Sequence, residues 1–194
     1  MLGVVLCGGQ SLRMGSDKGL LSHQDKLWAQ LAADKLALLH IPVVFSVNAS
    51  QQEAYAGYFG SAQLVADHIS LDVRGPLLGV LSAHLLSPRH DLFVLACDLL
   101  LMEHRLLNQL SEAYLTVGSF DAYIFTRNGQ QEPLCGIYTA KGLKGIWHLL
   151  QTHQLTKHSM KFVLSKLQVC EIAVEDNDDR FFGNFNSHAE INGL

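Results

Sequence analysis

Leu2-Gly3-Val4-Val5-Leu6-Cys7-Gly8-Gly9-Gln10-Ser11-Leu12-Arg13-Met14-Gly15-Ser16-Asp17-Lys18 runs from an uninterrupted apolar segment straight into a glycine-rich, basic loop. Its aliphatic and β-branched residues predict a strand buried on both faces. Gly8 and Gly9 let the chain turn sharply and offer successive backbone N–H groups to anionic oxygens. Arg13 and Lys18 bring full positive charge to the same place, a combination suited to a triphosphate. The loop is not a Walker A loop, because Lys18 lies between Asp17 and Gly19. Nor does the spacing of Gly8, Gly9 and Gly15 make a dinucleotide fingerprint. An ordinary strand-to-helix loop with solvated basic residues is the competing reading.

Outward from this loop, strand-like and helix-like segments alternate, as parallel β-α-β units require. A helix is expected over 26–39, strands over 41–47 and 64–66, and a helix from Gly75-Pro76, where proline suits the first helical position. Asp91 to Ala96 reads as a buried strand leading into Cys97-Asp98. Segments 121–126 and 132–138 flank the turn pair Asn128-Gly129 and predict an antiparallel excursion outside the parallel core. Helices are expected over 142–152 and 159–166, then a strand near 181–185 and a terminal helix. The expected fold is a single-domain Rossmann-like α/β structure over 1–194: a mostly parallel twisted sheet with helices on both faces and a short antiparallel excursion.

Composition narrows the function. The chain has 194 residues, 48% hydrophobic and 16% charged, with a net charge of −4, which suits a globular core and gives no polyanion-binding surface. No nucleic acid and no membrane are expected as partners. The four cysteines, Cys7, Cys97, Cys135 and Cys170, form no C-x-x-C pair, so a reduced cytoplasmic setting is expected. The ten histidines are scattered without ligand-like spacing.

In open α/β sheets, ligands gather beyond the carboxyl ends of the strands. That rule selects Asn48, Asp67, Asp98 and Asn186, each just after an apolar segment. Asn and Asp also favour such positions as plain turn residues. Asp98 is the strongest, since a carboxylate on a rigid strand end suits Mg²⁺, a hard cation that prefers oxygen ligands.

The pattern L-x-G-G-x-S-x-R-M-G-x-D-K, carried by Leu6, Gly8, Gly9, Ser11, Arg13, Met14, Gly15, Asp17 and Lys18, resembles the signature of the molybdenum cofactor guanylyltransferase family. The resemblance implies GTP and molybdenum cofactor (molybdopterin) as substrates and Mg²⁺ held by Asp98. It implies nucleotide contacts from Leu6, Cys7, Gly8, Gly9, Lys18, Asn48, Asp67, Asp98 and Asn186, with Arg13, Lys18 and Asp98 as the catalytic set. Gly75 and Gly79 match its G-P-L-x-G segment, Asn184 to Ser187 resembles its late N-x-N-T element, and Glu132-Pro133-Leu134 resembles a further one. Cofactor-delivery proteins or apo-molybdoenzymes are the protein partners this implies. Two departures stand out: Leu99-Leu100, where a proline commonly stands two residues after the aspartate, and His188-Ala189 in place of Pro-Glu. A cytidylyltransferase, a related NTP transferase and a non-catalytic nucleotide-binding homologue stay open as alternatives.

Overall fold

The computed structural model describes residues 1–8 and 17–185. Its centre is β1 (Leu2–Leu6), whose five residues are all buried. Parallel neighbours flank it, β4 (Val43–Val47) on one side and β6 (Leu92–Ala96) on the other. Beyond β4 lies β5 (Leu64–Ala66), also parallel. Beyond β6 come β8 (Gln130–Tyr138), β7 (Ala122–Arg127) and β9 (Val169–Ala173), giving the order β5-β4-β1-β6-β8-β7-β9. A two-stranded ribbon, β2 (Ser22–His23) with β3 (Lys26–Leu27), stands apart.

Side-chain alternation divides the core between the two faces of the sheet. Leu2, Val4 and Leu6 of β1, with Leu92 and Val94 of β6, pack under α3 (Pro76–Leu86), α5 (Ala140–Gln151) and α6 (Met160–Leu164). Val5, Cys7, Phe93 and Leu95 face the other way, toward α1 (Trp28–Ala37), α2 (Gln52–Ala56) and α4 (His104–Thr116). Each such aliphatic side chain contributes about 1.5–3 kcal/mol when fully buried. A strand covered on both faces has no polar side, which is why β1 and β6 read as continuous apolar runs.

The structure adds to the expected elements and corrects one. The antiparallel excursion forms as expected outside the parallel core β5-β4-β1-β6, and it joins the same sheet, since β8 pairs with both β6 and β7. Asn128 and Gly129 both take positive φ, 50° and 72°, as a tight hairpin turn requires. No strand forms over 181–185. A 3-10 helix spans Asp176–Phe182 instead, with Phe181 and Phe182 buried in the core. Three acidic residues in its first turn suit a helix start, and its aromatics are buried by helical spacing instead of strand alternation. The last strand is β9, on the sheet edge, parallel to β7. The expected terminal helix lies outside the described residues.

Candidate functional site

β1, β4, β5 and β6 end together on one edge, and the sheet order reverses at β1. The ladder runs on past β1: the Cys7 and Gly8 N–H groups donate to the Ser46 carbonyl at 3.0 and 3.1 Å, and the Cys97 N–H donates to the Leu6 carbonyl at 3.2 Å. Gly8 and Asp98 are thereby brought to neighbouring strand ends. The Gly8 amide is spent on the Ser46 carbonyl. Gly8 does not have a positive φ, and a Cβ there would come no closer than 3.9 Å to its neighbours among the described residues. Among the described residues, neither backbone strain nor local crowding demands a glycine at this position.

A cavity of about 700 Å³ opens on this edge. Of the residues singled out from sequence, it brings together Leu6, Gly8, Asn48, Asp67, Gly75 and Gly79. Ser46, Arg74 and Leu78 complete much of the wall. Asp67 is half-buried at the end of β5, and burial raises its carboxyl pKa. A raised carboxylate without a hydrogen-bonding side-chain partner among the described residues is suited to accept N–H or O–H donors from a ligand. The start of α3 shapes the opposite wall. Gly75 holds φ 71° and ψ −159°, a conformation essentially restricted to glycine, and Pro76 follows at the first helical position. Gly79 lets α3 approach the sheet: a Cβ there would sit 2.3 Å from Ser46 Oγ.

Lys18 and Asp98, eighty positions apart, form an ion pair, Nζ to Oδ2 3.0 Å, with side chains 20% and 18% exposed. Lys18 begins a 3-10 helix, Lys18–Leu20, capped by Asp17, whose Oδ1 accepts the Gly19 N–H at 3.0 Å. The loop carrying Asp98 is fastened twice. Lys35 of α1 donates from Nζ to the carbonyls of Leu99 (3.4 Å) and Leu100 (2.5 Å), and the Phe185 N–H donates to the Asp98 carbonyl (3.2 Å). Leu100 and Leu101 pack against Leu21, Trp28 and Phe185. The Leu99-Leu100 segment is thus held by a lysine and an apolar cluster.

Cys7 and Cys97 lie buried beneath the site. A hydrogen bond with Cys7, and burial, push the Cys97 thiol far above its usual range, which makes it a small apolar residue and no nucleophile. Gly9, Arg13 and Asn186 lie outside the described residues. Sequence reading missed Gln51, Tyr55, Arg74 and Lys35. Arg74 stands directly before the Gly75-Pro76 helix start, the one nearby signal that could have found it. Gln51 and Tyr55 lie in a polar stretch without a motif, and Lys35 sits on a helix face where lysine is ordinary.

Residues 3–169 match the family described as MobA-like NTP transferase domain. The chain belongs to that family. It is a nucleotidyltransferase. Among curated relatives, the molybdenum cofactor guanylyltransferase of Pseudomonas entomophila is 31% identical over 95% of this chain and 92% of its own length. Among solved structures, the molybdopterin-guanine dinucleotide biosynthesis protein A of Archaeoglobus fulgidus superposes with a TM-score of 0.78, at 20% identity, over 100% of this chain and 96% of its own. A cytidylyltransferase from Leptospira borgpetersenii reaches a TM-score of 0.65 at 16% identity over 96% of this chain and 81% of its own. The MobA-like transferase fold is therefore similar to that of proteins named for different bases. In this MobA-like transferase no described helix is long and apolar enough to cross a membrane.

Proposed function

We propose that the protein transfers GMP from GTP to the terminal phosphate of molybdenum cofactor, forming the guanine dinucleotide and pyrophosphate. The observation that supports this most is the meeting of Gly8, Asn48 and Asp67 around one cavity, with Asp98 at an adjoining strand end and Lys18 paired to it. A curated relative named as a guanylyltransferase over nearly the full chain adds the direction of the base choice. Residues 1–194 act as one nucleotidyltransferase domain in this reading.

The chemistry asks little of acid–base catalysis. The attacking phosphate monoester has a second pKa near about 6 and is already largely dianionic at neutral pH. Its oxygen attacks the α-phosphorus of GTP, the bond from that phosphorus to the bridging oxygen breaks, and pyrophosphate leaves with the bonding pair. The barrier is electrostatic, because anion approaches anion. Lys18, Arg13 and the loop amides after Gly8 position the triphosphate and balance its charge. Asn48 and Asp67 offer donors and acceptors to the nucleoside.

Asp98 is a carboxylate beside an ammonium, and no group of three ligating side chains occurs among the described residues. Such a donor set fits an ion that brings its own oxygen ligands from phosphates and water, as Mg²⁺ does. When bound there, Mg²⁺ supplies neutralisation of the phosphate oxygens. Asp98 would be the residue that holds the ion, and Lys18, 3.0 Å from it, would offer its charge to the phosphates.

Pyrophosphate release in the presence of molybdenum cofactor, Mg²⁺ and each nucleoside triphosphate in turn tests the proposal. GTP is expected to be preferred. Preference for CTP would move the protein to the cytidylyltransferase branch, and nucleotide binding without release by any of the four would mark a non-catalytic homologue.

A further inference from the structure

Gln51 lies in the turn between β4 and α2, away from every sequence motif, yet its side chain touches both ends of the glycine loop. Its Nε2 donates to the Cys7 carbonyl at 3.1 Å and to Asp17 Oδ2 at 2.6 Å. Cys7 is the last residue before Gly8, and Asp17 the last before Lys18. A single –NH₂ group therefore joins the loop's entrance to its exit. The same residue is locked to Asn48: Gln51 Oε1 accepts the Asn48 N–H at 2.9 Å, and the Gln51 N–H donates to Asn48 Oδ1 at 3.1 Å. Tyr55, wholly buried one turn further along α2, donates to the other Asp17 oxygen at 3.0 Å. A Cβ on Gly19 would lie 2.0 Å from Tyr55 Oη, so the loop exit is pressed against this helix.

We propose that Gln51 is a positioning residue that sets the width of the nucleotide-binding loop and couples it to Asn48. Both of its amide hydrogens go to the loop ends and its oxygen accepts from the Asn48 backbone, so every side-chain hydrogen bond it makes serves this one junction. The hydrogen bond to Asp17 is charge-assisted and short, the kind that fixes geometry most firmly. Lys18 follows Asp17 directly, so the clasp also fixes where the Lys18 ammonium emerges. Loop and base-side residue are thereby held at a set separation before a nucleotide arrives, which lowers the ordering cost of binding. The inference rests on the nucleotide-binding reading given above.

The test is calorimetric binding of GTP with Mg²⁺ to the full chain, together with steady-state kinetics. Gln51→Leu removes all the side-chain hydrogen bonds at similar volume, and Gln51→Glu turns a carboxylate toward Asp17. Each is expected to weaken GTP binding by about tenfold, the effect of losing a hydrogen bond to a charged group, with KM rising more than kcat falls. The exchange Gln51→Glu with Asp17→Asn swaps donor and acceptor at the Asp17 contact, without restoring a donor to the Cys7 carbonyl, and should recover part of the affinity lost in Gln51→Glu alone. A purely structural role would lower the melting temperature but leave the folded molecules with parental GTP affinity. That result, or an exchange variant no better than Gln51→Glu, overturns the inference. If Gln51→Leu does not fold, the comparison of Gln51→Glu with the exchange variant carries the test. A parent protein that binds no nucleotide would overturn the functional reading, and this inference with it. A parent that binds GTP while its Gln51 variants bind equally well overturns the inference alone.

Discussion

Asp98 and Asp67 are both carboxylates at strand ends, yet their surroundings assign them different work. Asp98 sits 3.0 Å from the Lys18 ammonium, while Asp67 is half-buried with its pKa raised by burial. Asp98→Asn keeps the shape but loses the charge that holds a hard cation. Transfer should fall by about 10–100-fold, with GTP binding less affected and part of the rate restored by raised Mg²⁺, read from pyrophosphate release across a magnesium titration. Parental turnover with unchanged magnesium dependence would make Asp98 a turn residue. For Asp67 the linkage runs the other way. Its folded pKa lies above the unfolded one, so its contribution favours the fold at low pH and is lost as pH rises through the folded value. At neutral pH the ionised carboxylate is a small burden on stability, screened because the group is half exposed. Asp67→Asn should therefore raise the melting temperature slightly at pH 7 while weakening GTP binding, and equal or lower stability would contradict the burial argument. Both aspartates were legible in sequence because each directly follows an apolar strand, at the sheet edge where ligands collect. Gln51 and Lys35 were not, since each acts by reaching backbone carbonyls that only the folded chain brings near.

Among the elements, α3 meets the sheet closely at the site. Gly79→Ala would place a methyl 2.3 Å from Ser46 Oγ and should cost about 1–3 kcal/mol by overpacking, measured as a shift in denaturant midpoint. Removing the hydroxyl in Gly79→Ala with Ser46→Ala should return much of that loss. Independent, additive effects would show that the helix shifts to make room. Helix α1 meets the Asp98 loop through Lys35, whose ammonium pKa burial lowers to about 8. Between about 8 and the unfolded lysine value near 10.4, the unfolded chain holds a proton the folded chain has shed, so stability gains from rising pH in that window. Denaturant midpoints of the parent and Lys35→Met at pH 7, 8 and 9 should show the parent gaining on the variant as pH rises. Parallel curves would place the lysine in solvent. The central strands and the helix at Pro76 were readable from apolar runs and turn chemistry. Helix α4 carried a readable signal in Leu106, Leu107 and Leu110, spaced to bury one face, but it follows a loop without a clear start. Edge strand β9 is mostly half-exposed and looks like a loop in sequence. Phe181 and Phe182 look like a strand because local pattern does not distinguish two buried aromatics in a short helix from two in a strand.

Across the whole molecule, the site is assembled from distant parts of the chain. Gly8 and Lys18 come from its beginning, Asn48 and Asp67 from the next two parallel strands, and Asp98 from the strand on the other side. Phe185 closes the set by its bond to the Asp98 carbonyl and its packing on Leu21 and Trp28. Phe185→Ala should cost about 3 kcal/mol and raise the magnesium concentration needed for half-maximal transfer. A stability loss with no change in magnesium requirement would separate this anchor from the site. The anchor also bears on the order of events during synthesis. Strands β1, β4 and β6 can pair once residue 96 has left the ribosome, and β8 can cover β6 once residue 138 has followed. The Asp98 carbonyl, however, waits for a donor at residue 185, far behind the strand that carries it. A chain still being made can thus hold most of its sheet while the loop carrying Asp98 still lacks its Phe185 anchor.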